Sequence, residues 1–140
     1  MLPGRVRVKI GLIACSGEAL PGGTVTRLAV RRVLEALRPD DTVTLCLPLF
    51  LAGSERERSF AHKFPTITID GCEKRCAARA TAKCSAPPAA SLIVPDLLAE
   101  RGLPPPRELR ALDEAGMRAT DETAAAVAAE VDRLLAEPRA

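Results

Sequence analysis

Five cysteines, Cys15, Cys46, Cys72, Cys76 and Cys84, are the residues of this 140-residue chain best suited to chemistry. A thiolate is a soft ligand for zinc and for iron–sulfur clusters, and it is the reactive form in thiol redox catalysis. An odd number of cysteines argues against a simple disulfide framework. The segment Leu12-Ile13-Ala14-Cys15 looks like a lipoprotein cleavage box, but Arg5, Arg7 and Lys9 interrupt the stretch before it and the apolar run extends only from Ile10 to Cys15. A secretory segment needs about 7–15 apolar residues, so the expected location is the cytoplasm. In that reducing compartment cysteines serve more often as metal ligands or catalytic thiols than as crosslinks.

Other chemistry is poorly supported. His62 is the only histidine and lies late on a capped helix that reads as exposed; nothing puts it beside Cys15 or Cys72, as a Cys–His pair would need. The glycines of Cys15-Ser16-Gly17 and Gly22-Gly23 lack the Walker pattern, and a Cys-x5-Arg phosphate loop is excluded because residue 21 is Pro. A net charge of +2 and an aromatic content of 2%, with no Trp or Tyr, leave neither a basic patch nor a stacking surface for nucleic acid. No apolar run approaches the roughly 18–20 residues of a membrane helix.

The elements that must position the cysteines follow from periodicity. Residues 5–14 alternate and then turn apolar, a strand entering a sheet interior. Pro21, Gly22 and Gly23 read as a break. A helix is predicted from Thr24 to Arg38 with Val30, Val33, Leu34 and Leu37 on one face. Thr42–Leu47 reads as a second strand closed by Pro48. Ser54 and Glu57 form a capping box for a helix to Lys63, and β-branched Thr66–Asp70 reads as a third strand. Cys72 to Cys84 reads as helical, and Ser91–Val94 as a fourth strand. Leu103 to Pro106 is a stiff connector, 107–115 a short helix, and a last helix capped by Thr120 or Asp121 runs to Glu137. Alternating strands and helices predict an α/β fold, a Rossmann-like three-layer sandwich on a mostly parallel four-stranded sheet. Residues 1–140 read as a single domain, with a cysteine-bearing core over 1–100 and a helical packing element over 107–140.

This order brings the cysteines together. Cys15 falls at, Cys46 near and Cys72 two residues beyond the carboxyl end of a predicted strand, and in a parallel sheet those ends share one edge, where ligand crevices form. Cys76 follows Cys72 by four residues, one turn on if both are helical. Four thiolates make a closed tetrahedral zinc site. Lys74, Arg75, Arg79 and Lys83 against Glu73 give the surrounding segment a positive balance that offsets thiolate charge. The spacing is not that of a zinc finger, and a free cysteine is often only a small buried hydrophobe. Cys84 lies eight residues past Cys76, about 80° around a helix, and reads as a packing or surface thiol, with a spare ligand or resolving thiol as the alternative. Asp70 has two readings, an acceptor that orders the loop near a metal or ordinary Asp-Gly turn chemistry. Gly71 supplies either a positive φ or a close backbone approach.

The pieces Ala14-Cys15-Ser16-Gly17, Cys46-Leu47-Pro48 with Ala52-Gly53, and Ile69-Asp70-Gly71-Cys72-Glu73-Lys74-Arg75-Cys76-Ala77 resemble the DGC-domain family, named for Asp-Gly-Cys. The family is characterised by four cysteines taken to bind zinc, and the resemblance puts these on Cys15, Cys46, Cys72 and Cys76. The expectation is a binding protein, not an enzyme, holding one structural, carried or sensed zinc at the carboxyl edge, with no nucleic-acid or membrane partner. The alternatives are a four-cysteine iron–sulfur protein and a thiol redox enzyme with Cys72 as nucleophile.

Overall fold

The computed structural model describes residues 8–109 and 111–137. Four strands form one sheet in the order β2-β1-β3-β4: β1 Ile10–Ala14, β2 Thr42–Thr44, β3 Thr66–Asp70 and β4 Ala90–Ile93. Every pair is parallel, with Leu12 opposite both Thr44 and Ile67, and Ile69 opposite Leu92. The α/β three-layer architecture is therefore present, with a sheet that is parallel throughout. Residues 5–7 of the first predicted strand lie outside the described residues.

Alternation along the strands makes two cores. Ile10, Leu12, Ile67 and Ile69 face helix α1 (Pro21–Arg32), α6 (Val94–Glu100) and α7 (Glu114–Ala136), whose Val25, Val94, Leu98, Val127 and Val131 complete the larger cluster. Ile13 faces the other way, onto Leu47 and Phe50 of α2 (Leu47–Ala52), Phe60 of α4 (Phe60–Lys63) and Ala77 of α5 (Cys76–Cys84). The buried threonines of β3 do not leave polar groups stranded: Thr66 donates to the Phe64 carbonyl at 2.8 Å and Thr68 shares a 2.8 Å bond with Ser91.

Several predicted boundaries move for local reasons. Pro21 does not block α1 but opens it, because a proline at the first helical position forfeits only an amide that has no helical partner. α1 ends in a π-turn, Val33–Leu37, closed by the Arg38 amide on the Val33 carbonyl at 2.8 Å. β2 stops at Thr44, and Pro48 lies in the first turn of α2 instead of closing a strand. The Ser54–Glu57 capping box is present, heading α3 (Glu55–Arg58), but the chain turns at Ser59 before α4. α6 has no counterpart among the predicted elements.

The short helix predicted over 107–115 is not formed at 107–109 or 111–113. Instead Asp113 caps a 23-residue α7 by accepting from the Gly116 amide at 2.7 Å. Thr120 does not cap: its hydroxyl bonds back to the Gly116 carbonyl within the helix, and Asp121 pairs with Arg32. Among the described residues no helix is long and apolar enough to cross a membrane.

The end of the π-turn is tied to α7 by a two-point contact, Arg38 Nε and Nη2 to the two Asp132 oxygens at 2.7 Å each. The Arg38 hydrogen bond is the main reason the Asp132 carboxyl lies below its ordinary pKa of 3.8. Because the pair is exposed, Asp132→Asn should cost only about 0.2–1 kcal/mol in urea denaturation at neutral pH. A carboxyl whose folded pKa is lowered stabilises above its unfolded pKa and stops doing so as pH falls through the folded one. The difference between the two proteins should therefore fade below about pH 4.

Candidate metal centre

The carboxyl ends of β2, β1 and β3 lie side by side, and a cysteine follows each. Cys15 comes immediately after β1, Cys46 two residues after β2 and Cys72 two residues after β3. The connections after β1 and β3 leave to opposite faces, since α1 packs in the larger core and α5 in the smaller. These neighbouring strands thus form the switch point of the sheet, the position where open α/β folds bind ligands.

Cys15 is the best-anchored thiol. Its amide continues the ladder to the Ile69 carbonyl at 3.0 Å, and its Sγ accepts from the Gly71 amide at 3.3 Å. The fully buried Thr26 hydroxyl, 3.7 Å from the sulfur, donates to the Gly23 carbonyl at 2.7 Å and accepts from the Ser16 amide at 3.2 Å. With the threonine proton committed to Gly23, the protonated Cys15 thiol is the donor toward Thr26. The deprotonated sulfur keeps the Gly71 amide as its hydrogen-bond donor. Sequence reasoning does not find this role for Thr26, which is one polar residue on an otherwise ordinary helix.

Cys46 is the exposed residue preceding α2, with its thiol making no cap and its carbonyl receiving the Phe50 amide at 3.0 Å. Cys15 and Cys46 line one open cleft together with Ser16, Arg27, Thr44 and Leu45. Cys72 is half-buried and lines a different depression, beside Glu73, Arg75, Pro95 and Asp96.

Cys72 is not helical, contrary to the expectation from its spacing. Residues 72–75 form a turn closed by the Arg75 amide on the Cys72 carbonyl at 3.2 Å, and α5 begins at Cys76, which is exposed. The helix cannot extend back because Arg75 adopts the left-handed conformation, φ 54° and ψ 47°. Glu73, Lys74, Arg75 and Arg79 are exposed around this turn. Cys84 closes the other end of α5, about 12 Å away at 1.5 Å per residue, and packs against the smaller core.

Asp70 takes on a definite role in the fold. It is 1% exposed, and its two carboxylate oxygens accept from the Ala77 amide at 2.8 Å and the Ala78 amide at 3.1 Å. The strand end therefore supplies the cap that Arg75 does not provide to α5. Desolvation raises the Asp70 pKa, opposed by the two amide hydrogen bonds and the Arg75 charge.

Gly71 serves close approach. A Cβ there would stand 2.5 Å from the Gly22 carbonyl carbon and 2.6 Å from the Gly23 nitrogen, so the loop after β3 lies backbone to backbone on the start of α1. No positive φ is involved, since among the described residues the only glycine in that region is Gly102.

The edge thus holds four thiols on three adjacent loops. Their donor chemistry suits zinc. Their present arrangement is open: among the described residues no three His, Cys, Asp or Glu side chains are gathered closely enough to hold one ion.

Among known protein families, the model described as the DGC domain matches residues 11–119. Neither the curated proteins nor the solved structures contain a match.

The backbone contact at Gly71 leads to a paired stability test. Gly71→Ala should destabilise by about 1–3 kcal/mol through overpacking. Gly17→Ala, where a Cβ meets nothing within 4 Å, should stay within about 0.5 kcal/mol of the parent. Urea midpoints of the two variants check this.

Proposed function

The chain belongs to the DGC-domain family, and from that premise we propose that it is a zinc-binding protein whose ion is taken by Cys15, Cys46, Cys72 and Cys76. One observation carries the reading: three neighbouring parallel strands each deliver a cysteine within two residues of their carboxyl ends, and the fourth heads the helix that follows. The chemistry of the set supports it. Four sulfurs, in a chain with a single histidine, favour a soft, thiolate-preferring cation over calcium or magnesium. Cys46 and Cys76 are exposed, so either can reorient without opening a core.

In this reading Cys15 is the fixed member and the ion gathers the other three sulfurs toward it. Zinc would then add cohesion to the edge, since bound metal stabilises the state that holds it. With all four positions taken by protein sulfur there is no open site for a substrate water, which favours a structural, carried or sensed ion over hydrolysis. The same reading has the chain working in a reducing compartment, with a metal ion as its ligand and no nucleic acid or membrane as partner.

Anaerobically purified protein should be colourless and contain about one equivalent of zinc by elemental analysis, as one closed site requires. Cys72→Ser and Cys76→Ser should each lower the metal content, and Cys84→Ser should leave it unchanged. A loss at Cys84 equal to that at Cys72 would mean a different ligand set. A brown preparation with iron and acid-labile sulfide would replace zinc by a cluster.

A further inference from the structure

We propose that Asp70 is a positioning residue for the metal centre, a carboxylate clamp that sets the separation of Cys72 and Cys76; the proposal rests on the zinc reading above. Asp70 ends β3, which is paired on both sides, with Ile69 opposite Ala14 and Asp70 opposite Ile93. Its backbone is therefore held by the sheet. Its carboxylate reaches past the turn and takes the Ala77 and Ala78 amides, the second and third residues of α5. The excursion from Gly71 to Cys76 is thus closed at both ends. Cys72 stands at one foot, two residues from the strand, and Cys76 at the other, as the first residue of the helix.

The backbone bonds of this segment do not join its two feet. The Arg75 amide on the Cys72 carbonyl closes only the turn itself, and the Arg79 amide on the Arg75 carbonyl belongs to the helix. The left-handed Arg75 is a conformation that costs a non-glycine residue free energy and persists only where its surroundings impose it. The clamp imposes it here, because pinning the second and third helical amides fixes where α5 starts.

Asp70 is not itself a ligand in this scheme. It is 1% exposed and both of its oxygens are committed to α5. It acts on the ion through the two cysteines, as outer partners of metal ligands do.

The test compares Asp70→Asn with Asp113→Ala, which removes another helix cap, that of α7. Zinc affinity is measured by competition with a chromophoric chelator at a temperature where far-UV circular dichroism shows each protein folded. Asp70→Asn should bind zinc about 10–100-fold more weakly, the usual effect of losing an outer partner, while still reaching the parent stoichiometry at saturation. Asp113→Ala should lower the melting temperature and leave zinc affinity unchanged. If Asp70→Asn does not fold, Asp70→Ser, whose hydroxyl can accept from one amide, is measured in its place. Parent affinity in a folded Asp70 variant overturns the clamp.

A second measurement separates the clamp from the zinc reading. The metal-free protein is treated with dibromobimane, and the fraction of Cys72 bridged to Cys76 is read by peptide mass. That fraction should shift in the Asp70 variant and not in Asp113→Ala. If the parent protein takes up no zinc, the metal reading fails, and this measurement alone decides the clamp: a shifted fraction supports it, an unchanged one overturns it.

Discussion

Parallel pairing of β1 with both of its neighbours is the constraint on which the rest depends. Once β2, β1 and β3 run in one direction, residues 15, 46 and 72 must emerge on one edge, although they are far apart in the chain. Burial enforces the pairing. All five residues of β1 and all five of β3 are buried, so slipping either strand by one residue would move Leu12 or Ile67 from one core to the other.

On that edge the two central loops are locked together by a close backbone contact and one amide-to-sulfur hydrogen bond. Gly71 lies on Gly22 and Gly23 with no room for a Cβ, and its amide bonds the Cys15 sulfur. The Asp-Gly-Cys segment therefore has a separate physical task for each residue. The aspartate caps the following helix, the glycine admits the start of α1, and the cysteine begins the turn that carries the chain to Cys76. The outer thiols, Cys46 and Cys76, are exposed. Such an edge combines one rigid sulfur with others that can be drawn to it.

The sheet is legible in sequence because its signals are local and strong. Thr66–Asp70 alternates with β-branched residues, and the apolar run from Ile10 is bounded by a loop. The shared edge of the cysteines follows from strand order. What escapes the sequence depends on contacts across the fold. A helix beginning at Cys72 fits the spacing, yet the left-handed Arg75 and the cap from Asp70, seven residues before Ala77, decide that it begins at Cys76. Likewise Thr120 and Asp121 look like a cap, but an earlier aspartate, Asp113, has the extended backbone that a cap requires. Pro21 and Pro48 look like breaks, yet each stands in the first turn of a helix, where a proline gives up only an amide that has no helical partner.

The proposal of one ion among four sulfurs rests on the edge those cysteines share, where among the described residues no three potential ligands are yet gathered. X-ray absorption at the zinc edge of the anaerobically purified protein tests this most directly. One zinc ion held by Cys15, Cys46, Cys72 and Cys76 should show a shell of four sulfurs at about 2.3 Å. A shell of nitrogen and oxygen, or one with two or fewer sulfurs, would contradict it.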